Sequence, residues 1–103
     1  MKLEEFLTAL PELKDRFFWF NDDCGHLRGI DRDPTGTIYS TITALCKART
    51  GLIFCLFMAW EDAADHLGLS FEDASAITWA EDYDGHCNYG LARLLRQLVG
   101  IVV

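Results

Sequence analysis

The chain has 103 residues, a net charge of −7, half of its residues hydrophobic and 13% aromatic. That length suits one domain, 1–103, with a core of its own, and the apolar share excludes a disordered chain. The excess of acids argues against direct binding to nucleic acid or to an anionic membrane. The start, Met-Lys-Leu-Glu-Glu, places acids where a secretory signal needs a basic opening and then an apolar run. The longest apolar run, Leu52 to Trp60, has nine residues, against about 20 for a membrane span. The expectation is a soluble, cytoplasmic protein.

Along the chain, Leu3, Phe6, Leu7 and Leu10 repeat at helical spacing and predict a helix over 2–10. Pro11 ends or kinks it, with a further turn through Leu13 open. Phe17-Phe18-Trp19-Phe20 reads as a strand, Asn21 to Gly25 as a turn, and His26 to Ile30 as the return strand. Residues 31–36 read as a loop, followed by a helix from Thr37 to Lys47 that buries Ile38, Ile42 and Leu45. Leu56, Trp60, Ala63, Ala64 and Leu67 form one stripe of a third helix, closed by Gly68. Ser70 caps a fourth helix running to about Tyr83. In the fifth, Leu91, Leu94, Leu95 and Leu98 line one face, and Arg93, Arg96 and Gln97 the other. The predicted fold is α+β, mostly helical with about five helices, plus a two-stranded hairpin near residues 17–30. In that hairpin Phe17 and Trp19 share one face and Phe18 and Phe20 the opposite one. The first helix is expected to cover the second aromatic face, and a homodimer is the alternative.

Charge is segregated along the chain. From Thr50 to Ala92 there is no Lys or Arg, yet there are eight carboxylates: Glu61, Asp62, Asp65, Glu72, Asp73, Glu81, Asp82 and Asp84. Glu72 and Asp73 sit in a helix first turn, where the macrodipole favours them. Glu61 and Asp62 have the same role if their helix starts near Ala59. Glu81, Asp82 and Asp84 fall at a helix end, where the dipole favours cations, with Trp79 and Tyr83 among them. Carboxylates beside aromatic rings suit an Arg- or Lys-bearing partner through charge-assisted hydrogen bonds and cation–π contact. The competing reading is that Arg93 and Arg96 fold back and neutralise the cluster. Mimicry of a whole DNA duplex needs more charge: about 20 phosphate equivalents over a domain spanning about 34 Å, against 16 acids offset by nine bases.

Metal and catalytic signatures are fragmentary. Asp31-Arg32-Asp33-Pro34-Thr35-Gly36-Thr37-Ile38 matches the first eight positions of a calcium loop, but position twelve is Ile42 where a bidentate Glu is required. The same residues make good turn chemistry. Cys24, His26, His86 and Cys87 form a legitimate zinc ligand set, at spacings too short for the usual knuckles. Cys24 or Cys87 beside His is the only nucleophile arrangement, and no complete catalytic constellation emerges. With no Cys-x-x-Cys pair, the cysteines are expected to be free thiols, Cys46 and Cys55 in the core.

The functional expectation is a non-enzymatic, acidic binding or inhibitory protein. It would need no cofactor and would dock on a basic surface of a partner protein through Trp79, Glu81, Asp82, Tyr83, Asp84, Glu61, Asp62 and Asp65. In size and charge the chain resembles phage-encoded inhibitors of host nucleic-acid-handling systems, anti-CRISPR proteins among them. No motif carries that resemblance. The alternatives are a small zinc- or calcium-binding domain and an enzyme with a Cys/His site.

Overall fold

Alternation along Phe17-Phe18-Trp19-Phe20-Asn21 gives the strand two aromatic faces, of which one meets the core. In the computed structural model, which describes residues 1–54, 56–82 and 88–101, strand β1 (Phe17–Asn21) buries Phe17 and Trp19 and turns Phe18 outward. It pairs antiparallel with β2 (Leu27–Asp31), with Phe18 opposite Ile30 and Phe20 opposite Arg28. Trp19 lies over Gly29, where a Cβ would come within 2.8 Å of the indole. The Trp19 Nε1–H donates to the Leu13 carbonyl at 2.9 Å. The close approach thus needs glycine, and the buried indole N–H is satisfied.

The sheet has a third strand that the periodicity did not predict. Ile38 and Tyr39, expected to open a helix, form β3 against Ile30 and Gly29, giving the order β1-β2-β3. A β-branched and an aromatic residue fit a pleated edge better than a helix start. The helix begins after Ser40, whose side chain accepts from the Thr43 N–H while the Thr43 hydroxyl accepts from the Ser40 N–H. This reciprocal cap fixes α2 as Thr41–Thr50, and Gly51 in the left-handed region ends it.

The other helices follow their local signals. Helix α1 (Leu3–Ala9) continues into a 3₁₀ turn, Leu10–Leu13, with Pro11 near its start. A second 3₁₀ turn, Leu56–Ala59, leads into α3 (Trp60–Leu67), so Glu61 and Asp62 do occupy a first turn. Ser70 caps α4 (Phe71–Glu81), which stops two residues before the expected end, and Asn88 caps α5 (Tyr89–Leu98). Phe6, Leu10, Leu13, Phe17, Leu45, Ile77 and Leu95 meet in one core. The first helix therefore packs on the Phe17 side of the sheet. Phe18 remains 58% exposed, correcting the expectation that this helix covers it.

Arg96 is the largest departure from the predicted pattern. Expected on the outer face of the last helix, it is 0% exposed. Its Nε donates to Asn21 Oδ1 (2.8 Å), Nη1 to the Ala80 and Ala92 carbonyls (3.0 Å each), and Nη2 to Gly25 O (3.1 Å) and Glu81 O (2.8 Å). The guanidinium thus ties the hairpin, the end of α4 and α5 together. A helix C-terminus presents carbonyls without intrahelical donors, so a buried cation is well placed there. Replacing Arg96 with Met removes five hydrogen bonds, three of them buried, and should lower unfolding free energy by about 3–5 kcal/mol. Arg96→Lys should recover little of that, because an ammonium lacks the planar fork. Urea denaturation of the three proteins measures this; a loss below about 1 kcal/mol for the Met variant would remove Arg96 from its central role.

Candidate functional site

The same junction builds a cleft of about 400 Å³ between the sheet and the end of α4. Strand β2 and the residue before it supply Arg28 and His26, and the α2 cap supplies Ser40. Met58 and Trp60 come from the turn into α3; Thr78, Trp79, Glu81 and Asp82 come from the end of α4. Helix α4 is apolar on two sides. Ala74, Ile77 and Ala80 face the core, whereas Phe71 and Trp79 face outward, Trp79 being 53% exposed. Phe71 lies 6.0 Å from Trp60, ring centre to ring centre, so the exposed aromatic strip runs from the start of α4 toward the cleft.

Glu81 does not belong to a surface cluster. It is 1% exposed, and its Oε2 accepts from the Thr41 N–H at 2.7 Å. The last residue of α4 thereby places a carboxylate at the N-terminus of α2, where free N–H groups and the macrodipole favour negative charge. Burial nevertheless dominates and raises its pKa to about 7, against the opposing pull of the Thr41 N–H, the Arg28 charge, the Thr41 hydroxyl and the Arg96 charge. The competing reading of Arg96 also changes. It donates to the backbone carbonyls of Ala80 and Glu81, while Arg93 is exposed.

Asp82 stays at the cleft, with Oδ2 3.6 Å from His26 Nε2, and the two residues form an isolated β-bridge. On its other side His26 Nδ1 is 3.8 Å from Asp22 Oδ1. Asp22 also lies 3.8 Å from Arg28 Nε. Partial desolvation works to raise the Asp22 pKa. The N–H groups of His26 and Cys24, with the charges of His26 and Arg28, outweigh it and hold the carboxyl below its usual range. The Ser40 side chain caps α2. Two indoles and a thioether supply the cleft's apolar contact.

Of the sequence-predicted residues, the structure brings Trp79, Glu81 and Asp82 to one cleft, with Glu81 at its buried base. Glu61, Asp62 and Asp65 are exposed on α3, the helix that begins with Trp60. Tyr83 and Asp84 lie outside the described residues, as do Cys55, His86 and Cys87, the last two being half of the proposed zinc set. Cys24 is exposed and Cys46 buried. In the calcium-like loop, the Lys47 ammonium bonds Asp31 and also Asp33 Oδ2 (3.0 Å). The Thr35 hydroxyl holds Asp33 below the ordinary carboxylate range. The loop's cation is thus a side chain, and among the described residues no group of three or more His, Cys, Asp or Glu is placed to hold a metal. Sequence reasoning missed Met58, Trp60, His26 and Arg28 as parts of the cleft. The available signal was α4 itself, whose Phe71 and Trp79 fall off the Ala74-Ile77-Ala80 stripe.

Glu81 gives the cleft a pH signature. Its folded-state pKa, about 7, lies above the ordinary value of 4.5, so the folded protein binds that proton more tightly than the unfolded chain. This contribution to stability is fully present below about 4.5 and is lost as pH rises through about 7. Denaturation of wild type and Glu81→Gln at a series of pH values should show the wild type losing stability relative to the variant across that window. A difference independent of pH would mean that Glu81 does not titrate there. Compared with known proteins, the chain matches no family model, no curated protein and no solved structure.

Proposed function

We propose that this is a non-enzymatic binding or inhibitory protein that docks on a basic surface of a partner protein through the α3–α4 face. The observation that carries the reading is that α4 turns Phe71 and Trp79 outward within a stretch, Thr50 to Ala92, that contains no Lys or Arg. Phe71, beside Trp60, and Trp79 leave apolar rings exposed on one helix, a feature that marks interaction sites when contiguous. Trp, Met and Phe are enriched at interfaces, and Trp dominates their energetics. Glu61, Asp62, Asp65 and Glu72 are exposed on the same two helices, and Asp82 lies at the cleft. Acids around an aromatic centre favour Lys and Arg on the partner through both long-range attraction and cation–π contact. Arg28 does not reverse that preference, because Asp22 lies beside it. The size-and-charge resemblance to phage-encoded inhibitors makes a nucleic-acid-binding protein the first partner class to try.

Capture from the native host with wild type and with Trp79→Ala separates specific from adventitious partners, and titration calorimetry then measures the retained protein. Trp79→Ala should weaken binding about 30-fold or more, the ~2 kcal/mol expected of a central aromatic. Asp82→Asn should weaken it less and reduce its salt dependence. Unchanged affinity in both variants would sink this reading.

A further inference from the structure

We infer that the outer face of the sheet is a self-complementary surface that takes a second copy of this chain. Strand pairing lays that face out in order. At one end Arg16 and Arg32 stand side by side, joined by an Arg32 N–H to Arg16 O bond of 3.4 Å. Across the middle run Phe18, Ile30 and Ile38, then Phe20 opposite Arg28. At the far end Asp22 pairs with His26 through an N–H to carbonyl bond of 2.8 Å, and Asp82 faces that histidine. The face is therefore basic at one end and apolar in the centre, and at the other Asp22 and Asp82 stand beside His26 and Arg28. Its centre is open: Phe18 is 58% exposed, and its ring stacks on Phe20 at 6.3 Å.

This order selects the occupant. A closed two-fold dimer must present the same patch twice, so each group needs its complement at the symmetric position. Along β1, Arg16 stands three residues before Trp19 and Asp22 three residues after it, with Phe18 and Phe20 one residue either side. A two-fold axis passing beside Trp19 therefore sets Arg16 against Asp22 of the second copy, Phe18 against Phe20, and repeats both pairs. An unrelated partner has no reason to carry that arrangement. The acidic α3–α4 face, by contrast, repels a copy of itself. Strand β1 lies at the sheet's edge, which lets a second copy approach over it. The face is small, so association is weak, on the scale of transient interfaces.

Sedimentation equilibrium from about 10 µM to about 1 mM tests this. The average mass of wild type should rise from 11.7 kDa toward twice that value. Phe18→Asp should remain monomeric throughout, and Arg16→Asp should weaken association about tenfold or more, the effect of a like-charge juxtaposition. Both positions are exposed, so urea midpoints matching wild type confirm intact folding. This face and the proposed partner site share His26, Arg28 and Asp82 but not Trp79, so Trp79→Ala should associate like wild type. Wild type that stays at 11.7 kDa up to the highest concentration overturns the inference. So does a Phe18→Asp variant that associates normally, or loss of association in Trp79→Ala.

Discussion

A single buried guanidinium organises this fold. Arg96 reaches from α5 to the hairpin turn, to the side chain of Asn21 and to the last carbonyls of α4. Three elements are held at that corner by directed bonds. An uncompensated buried charge is expensive, so the geometry is tolerated only because every donor direction finds an acceptor. Helix α4 ends at Glu81, and the carbonyls freed there are those the guanidinium needs.

Two helix dipoles are joined through that residue. The backbone of Glu81 receives a cation from α5, while its side chain gives a carboxylate to the start of α2. Acid at a helix C-terminus is unfavourable for its own helix, but it becomes favourable when the side chain reaches another helix's N-terminus. The cost is desolvation, visible in the raised pKa. The result fixes the position of the next residue, Asp82, and of Trp79 one turn earlier. The cleft's placement is thus a consequence of the electrostatics beneath it.

Much of the local structure was legible in the sequence. The Leu3-Phe6-Leu7-Leu10 spacing, the Ser70 cap and the alternation in Phe17 to Phe20 each rest on a short-range rule that no distant contact overrode. Where the reading failed, a distant contact decided. Ile38 and Tyr39 became a strand because β2 offered an edge to pair with, and the Ser40 cap then set the start of α2. A charged residue on the polar side of an amphipathic helix usually lies at the solvent face, yet Arg96 is buried. Nothing near it in sequence announces Asn21, Gly25 and Ala80. The acidic cluster was legible in part: Trp79 and Asp82 do reach one cleft, but Glu81 alternates inward.

By itself the sequence determined the mixed, mostly helical class, the two alternating faces of β1 and an acidic stretch without Lys or Arg, because periodicity, capping and charge counting are properties of neighbours. Only the tertiary structure decided which charges are buried and which rings are left outside. That sorting depends on which helix ends meet: a carboxylate beside a foreign N-terminus and a guanidinium beside a foreign C-terminus are withdrawn from the surface, while Trp79 and Phe18, with their neighbours filling the core, are not.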